Sequence, residues 1–446
     1  MKNEAKGQEP KQATSAVKAT DTARRVGPLR RAWYQRISEA HQRGEFVAWT
    51  MYGVADEILA AFGVLPVLAE NYGPVCAAKQ MASHFCQIAE SDGYSKDLCS
   101  YLRTGLGIAK RQAELGEPPP EAPYCGMGKP DMVIGFSLVC NGRYKWLQEV
   151  ARYLDVPCFI YDVRDFPGVR DRNDEAMKRR YVEHYYEQLK RLAAFLEETT
   201  GKKLNKNRLS QALDNWMKSS MLFRDACKLR KAHPNPLPAQ DSATVCFPFL
   251  HFRAYPEAVD FYQQLYDEVK YRADNKIGSM PQEKYRLWWY LQLPFFYMGL
   301  FNWLEENFGA TTLNNSWEPG ELPSQGVVDL NYPLESIAKK MYEEFWQVNG
   351  MVRRVLGLQT VQNIGRFVKE YDIDALVSLM VSSCRNIQAL NHTWMVMKES
   401  IDLPVLRLEA DMVDERTYSD AVIKERLTAF LETVDAAKRK RRGGDN

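Results

Sequence analysis

The chain has 446 residues, enough for two or three domains with separate cores. A hydrophobic share of 45%, a charged share of 26% and a formal net charge of +2 are ordinary for a globular protein, and exclude a strongly basic nucleic-acid binder. No run reaches the roughly 18 apolar residues of a membrane-spanning helix, and the polar N-terminus lacks a signal-peptide core, so a cytoplasmic protein is expected, with neither nucleic acid nor membrane as partner.

Residues 1–28 read as a disordered tail, because Met1 to Val26 carry almost no large apolar side chains. An N-terminal α/β lobe is predicted over 29–170. A helix from Leu29 leads to a strand at Phe46–Met51, a short helix at Ala55–Ala61 stopped by Gly63, and a strand at Val64–Leu68. Gly73 to Ala89 reads as helical. In KDLCSYLRTGLG, Cys99 falls at a helix start, where unpaired N–H groups and the helix dipole favour a thiolate. The proline- and glycine-rich GEPPPEAPYCGMGKP is a loop.

The stretch Pro130–Asp165 then sets a plan that returns from Ile373. In each copy an Asp opens an apolar run that a cysteine closes, Cys140 in the first and Cys384 in the second. An amphipathic helix, a turn with Pro157 or Pro404, a second apolar run and an acidic end at Asp162 or Asp411 follow. Each is a βαβ unit, and ligands of open α/β sheets sit beyond the carboxyl ends of the strands. Between the two copies the period turns helical. Val182, Tyr185, Leu189, Leu192 and Leu196 form one stripe, stopped by Gly201, and Leu209, Leu213, Trp216, Ser220, Phe223 and Cys227 form another. With a further helix at Tyr255–Ala273, residues 171–280 make a helical domain and 281–446 a C-terminal α/β lobe. That lobe begins with an aromatic block whose Trp288–Tyr290 and Phe295–Tyr297 suit either core or a pocket for a flat ring. Later come a strand at Thr311–Asn314, helices around Leu334–Asn349 and Thr360–Tyr371, and a terminal helix near Asp420–Val434. The fold class is α/β: two Rossmann- or flavodoxin-like lobes with a helical insert and a site in the cleft between them.

The nine cysteines are spread along the chain without a C-x-x-C, which argues against a disulfide framework and against local ferredoxin or zinc-ribbon patterns. Cys99, Cys140 and Cys384 are expected to face one crevice, although spacing alone does not separate ligands from buried core cysteines. Cys158 and Cys246, in apolar strand-like runs, and Cys227, on a helix stripe, read as core. Cys76, Cys86 and Cys125 remain open.

The motifs DEILAAFGVLPV, KDLCSYLRTGLG, PDMVIGFSLVC, EKYRL and ALVSLMVSSC, with LPVLRLEADMVDERTYSDAVIKERLTAFLE, resemble the family of 2-hydroxyacyl-CoA dehydratases and ATP-dependent benzoyl-CoA reductases over nearly the whole chain after the tail. The last block is more similar to the larger substrate-reducing subunit of the reductases. The resemblance implies that Cys99, Cys140 and Cys384 hold a [4Fe-4S] cluster with one iron open or bound by another group. It also implies that Glu57 is a carboxylate near that cluster, the alternative being a solvated first-turn residue. His392 and Trp394, beside the third cysteine, match no family motif. No G-x-x-x-x-G-K-[ST] occurs, so ATP is expected to be used by a partner subunit. The implied partners are a homologous smaller subunit, ATP-hydrolysing iron–sulfur activator subunits, ferredoxin as donor and an acyl-CoA substrate. Benzoyl-CoA reduction to a cyclic dienoyl-CoA is the first expectation. Dehydration of a 2-hydroxyacyl-CoA and a non-catalytic electron relay are the alternatives.

Overall fold

The computed structural model describes residues 15–137, 140–163, 174–314, 327–352, 358–389 and 401–443. Its first element, α1 (Asp21–Ser38), begins well ahead of Leu29, with Thr20, Thr22, Ala23 and Val26 buried. The tail reading is therefore corrected for these residues. Composition misleads here because distant carboxylates satisfy the helix start. Asp241 accepts from the Thr20 amide at 2.7 Å and Glu268 from the Thr22 amide at 2.8 Å.

The N-terminal lobe follows as β1 (Phe46–Thr50), α2 (Asp56–Phe62), β2 (Val64–Leu68), α3 (Ala69–Ala78), α4 (Ala82–Ser91), α5 (Ser100–Leu115), β3 (Met132–Phe136), α6 (Asn141–Leu154) and β4 (Cys158–Tyr161). All pairings are parallel, in the order β2-β1-β3-β4. The central strands β1 and β3 are apolar on both faces, as strands covered on both sides must be. Pro66 is tolerated because β2 is an edge strand. Gly63 ends α2 in the left-handed region at φ +69°, where a side chain would be strained.

Four helices intervene: α7 (Glu175–Thr200), α8 (Lys206–Lys228), α9 (Ala239–His251) and α10 (Pro256–Asp274). Asp174 and Asn205 cap α7 and α8, each accepting at 3.0 Å from an amide three residues on. Cys246 lies on α9, so the strand-like reading of its run is corrected. Its Val, Cys and Phe residues favour strands, but burial of nearly the whole helix overrides that preference.

The C-terminal lobe repeats the first plan with β5 (Tyr285–Tyr290), α11 (Gly299–Phe308), β6 (Ala310–Leu313), α12 (Pro333–Val352), α13 (Leu358–Glu370), β7 (Ala375–Met380), α14 (Arg385–Ala389), β8 (Val405–Glu409) and α15 (Asp420–Gly443). Its order, β6-β5-β7-β8, is again wholly parallel. The same clip closes both sheets. Asp131, just before β3, exchanges backbone and carboxylate bonds with Val47 at 2.8 and 2.7 Å. Asp374, just before β7, does so with Arg286 at 2.9 and 3.0 Å. The aspartates that open the two apolar runs thus fix β3 against β1 and β7 against β5.

Candidate functional site

Cys140 follows β3 and Cys384 follows β7, so the two sulfurs occupy equivalent places beyond the carboxyl ends of equivalent strands. Cys140 is the residue preceding α6, in extended conformation, and the Cys384 carbonyl accepts the Gln388 amide at 3.0 Å to start α14. Cys99 stands before α5 in the same way. All three are half-buried free thiols at helix N-termini.

They also converge. Burial pushes the Cys384 thiol up to about 11, and Cys140 is among the neighbours that add to the rise. Burial holds the Cys99 thiol well above its usual value, with Cys384 the next cause. The amides of Tyr101 and Leu102 oppose that rise at Cys99, as those of Asn386 and Ile387 do at Cys384. Arg385 Nη1 donates to Asn141 Oδ1 at 3.4 Å, which ties the α14 and α6 starts together across the lobes.

Among the described residues no trio of His, Cys, Asp or Glu stands close enough to hold one metal ion. A cubane cluster asks for something else, one thiolate on each of several irons, and so takes ligands spaced wider than those of a single ion. Three helix-start thiols, with Cys384 in electrostatic reach of the other two and backbone amides acting on Cys99 and Cys384, fit such a group. The other cysteines do not join them. Cys76, Cys86, Cys227 and Cys246 are buried, and the Cys86 sulfur lies 3.4 Å from Thr104 Oγ1. Cys125 is exposed. Cys158, read as core, is exposed as well, because it opens the edge strand β4.

Glu57 is not a solvated first-turn residue. It is 0% exposed, and the Lys340 ammonium, 2% exposed, lies 2.7 Å from its Oε1. That approach lacks hydrogen-bond geometry, so neither Glu57 oxygen accepts a hydrogen bond among the described residues. Lys340 also sits 3.7 Å from the Trp216 ring centre and 3.4 Å from Glu344. Next to Glu57, Asp56 accepts from Arg253 Nε at 2.7 Å. Burial pushes Asp56 up to about 6 against the pull of Arg253, and Glu57 adds to the rise. Arg143, in the first turn after Cys140, links this network to the cysteines. It grips Glu70 at 2.5 and 2.7 Å and the Tyr52 carbonyl at 2.9 Å, and the Tyr52 ring lies 5.6 Å from the Arg253 guanidinium.

Sequence reading missed Lys340 and Arg253. Lys340 left one trace, a charge at helical spacing between the apolar Ile337 and Met341. Of the aromatic block, Trp288, Trp289 and Tyr290 are core: Trp288 packs on Phe367 with ring centres 4.3 Å apart, and Trp289 on Phe301 at 5.1 Å. His392 and Trp394 lie outside the described residues.

The raised value of Asp56 has a sign that can be tested. Folded Asp56 binds its proton more tightly than the unfolded chain, so its contribution to stability is fully present below about pH 3.8 and is lost as pH rises through about 6. Asp56→Asn is expected to remove that component from urea-unfolding midpoints measured across the window. His251, held down at about 3 by burial, acts with the opposite sign but is common to both proteins. An unchanged pH slope would mean that Asp56 stays ionised throughout.

The profile described as 2-hydroxyglutaryl-CoA dehydratase, D-component, matches residues 51–434. The chain belongs to this family. This dehydratase D-component family member is 27% identical over 408 residues to the (R)-phenyllactyl-CoA dehydratase alpha subunit of Clostridium sporogenes, covering 90% of this chain and 92% of the relative. It is 24% identical over 420 residues to the alpha subunit of lactoyl-CoA dehydratase of Anaerotignum propionicum, covering 90% and 94%. A benzoyl-CoA reductase subunit of Thauera aromatica is 25% identical over 425 residues, covering 90% and 92%. Among the described residues no helix is long and apolar enough to cross a membrane.

Proposed function

We propose that the chain is the iron–sulfur subunit of an ATP-dependent aromatic acyl-CoA reductase, with Cys99, Cys140 and Cys384 as ligands of a [4Fe-4S] cluster. What supports this reading is that each of the three thiols starts a helix, that they come from both lobes, and that Cys384 lies within electrostatic reach of the other two. Bound there, the cluster supplies single low-potential electrons, within the roughly −700 to +450 mV that protein-bound clusters span.

The chain's own residues prepare the place. Helix-start amides favour anionic sulfur. Arg143 and Glu70 hold the Tyr52 loop against the Cys140 helix. Asp56, poised near 6, is a carboxyl able to hold and release a proton, and Lys340 fixes the adjacent Glu57. ATP hydrolysis is assigned to a separate activator, with ferredoxin upstream and a homologous smaller subunit alongside, in a cytoplasmic and oxygen-free setting.

A second reading, as one subunit of a 2-hydroxyacyl-CoA dehydratase, is favoured by the names of the lactoyl- and phenyllactyl-CoA dehydratase relatives. Net consumption of two electrons per turnover, with benzoyl-CoA and the partner subunits present, belongs to the reductase alone. The shared premise has its own test. In anaerobic iron and acid-labile sulfide analysis, Cys99→Ala, Cys140→Ala and Cys384→Ala are expected to lose the cluster while Cys227→Ala keeps it. Full iron in any of the first three removes that residue from the ligand set.

A further inference from the structure

Cys99 and Cys384 lie in different lobes, yet one buried chain of hydrogen bonds joins the backbone beside each. Arg103, one turn into α5, turns back so that its Nε donates to the carbonyl of Leu98, the residue before Cys99, at 2.9 Å. Its Nη1 reaches into the other lobe and donates to Asp414 Oδ2 at 2.9 Å. The Asp414 amide donates to Asp411 Oδ1 at 3.1 Å, and Asp411 Oδ2 accepts from the Ser383 hydroxyl at 2.6 Å. Ser383 is the residue before Cys384. All four side chains in this path are buried.

A second pair, Glu90 and Arg416, joins the path at Arg103 and Asp414. Glu90 Oε1 accepts from Arg103 Nη1 at 2.6 Å, and Arg416 bridges Glu90 and Asp414 with Nη2 contacts of 2.6 Å to each. Two guanidinium groups thus face two carboxylates, and Asp411 is further held by the Val413 amide at 3.0 Å. The relay bonds are buried and charge-assisted, so losing one strands a desolvated partner, whereas Arg416, 29% exposed, lies at the solvated edge of the network.

We infer that Arg103, Asp414, Asp411 and Ser383 are positioning residues that set the separation of the Cys99 and Cys384 sulfurs across the lobe boundary. This rests on the reading that the two thiols serve one cluster. No hydrogen bond among the described residues joins the relay to either sulfur, and only the Asp411 charge reaches them, raising both thiols. It acts by fixing the peptide just ahead of each helix start, so that the two lobes present their thiols at one spacing.

The test uses the full-length, metal-free chain and a short bifunctional thiol alkylator, with the Cys99–Cys384 bridged peptide followed by mass spectrometry. The wild-type chain is expected to form the bridge. Ser383→Ala, which removes one bond and no charge, is expected to form it roughly fivefold more slowly. Arg103→Lys, which keeps the charge but loses the fork, is expected to slow it at least as much. Arg416→Met, which weakens the network but leaves the relay intact, is expected to lower the unfolding midpoint without changing the bridging rate. After anaerobic reconstitution, the reduction potential of Ser383→Ala should shift while that of Arg416→Met stays with the wild type. Equal bridging in Ser383→Ala, Arg103→Lys and the wild type overturns the relay and leaves the shared cluster standing. Failure of the wild-type chain to bridge overturns both.

Discussion

Lys340→Met is expected to lower the unfolding free energy by about 3–5 kcal/mol, the range for removing one partner of a buried ion pair. The ammonium stands 2.7 Å from Glu57 Oε1 in a place where Glu57 is wholly shielded from water. Neither Glu57 oxygen has a hydrogen bond to fall back on among the described residues. Glu344, 3.4 Å from the same ammonium, would become a second acid without its cation. Glu57→Gln alone is expected to cost less, because Lys340 keeps Glu344 and the face of Trp216. The double variant Lys340→Met/Glu57→Gln should recover most of the loss, since it removes the stranded charge. Urea unfolding of the four proteins as a double-mutant cycle reads the coupling directly. A loss under about 1 kcal/mol for Lys340→Met would mark the pair as solvated, in the manner of a surface salt bridge.

One added carbon at Gly107 should cost about 3 kcal/mol or more, at the upper end for overpacking. Here α5 crosses α4 so closely that a Cβ would fall inside the contact radius of the Phe85 backbone carbonyl. A carbonyl oxygen within a helix cannot rotate away, so the two helices must part. The helix preference of Ala over Gly, near 1 kcal/mol, offsets only a fraction of this. Gly105 provides the contrast. A Cβ there meets the indole of Trp146, a side chain that can shift, and Gly105→Ala is expected to be the milder change. Because α5 carries Cys99 at its start, Gly107→Ala should also raise the rate at which that thiol is alkylated. Denaturant unfolding and thiol labelling check both effects. Stability within about 0.5 kcal/mol of wild type would mean that α4 and α5 have slack between them.

Local signals account for what was legible in the sequence. The first βαβ unit, the two strands of the second, the stop at Gly63, and the stripes of α7 and α8 all rest on spacing within a few residues, and each lies where the spacing placed it, while residues 390–400 of the second unit's helix lie outside the described residues. The helix-start placement of Cys99, Cys140 and Cys384 followed from the same short-range reading. What escaped it depends on partners far away in the chain. The start of α1 is ordered by Asp241 and Glu268, which no window around Thr20 contains. The Cys246 run is helical because burial outweighs its strand preference. Cys158 is apolar in context yet exposed, since only the strand order tells an edge from a centre. Lys340, Arg253 and Asp414 are ordinary charges in sequence. Their weight comes from being enclosed with one another.

The matched halves of the molecule are unequal in one respect. Cys140 and Cys384 hold matching places in the repeated plan, but the counterpart of α5 lies between β6 and β7, and no cysteine occurs in that whole span of the sequence. Cys99 therefore has no counterpart in the repeated plan. On the proposed reading, that asymmetry is what would give a four-cornered cofactor three thiolates from this chain and keep its remaining vertex open to whatever enters from outside.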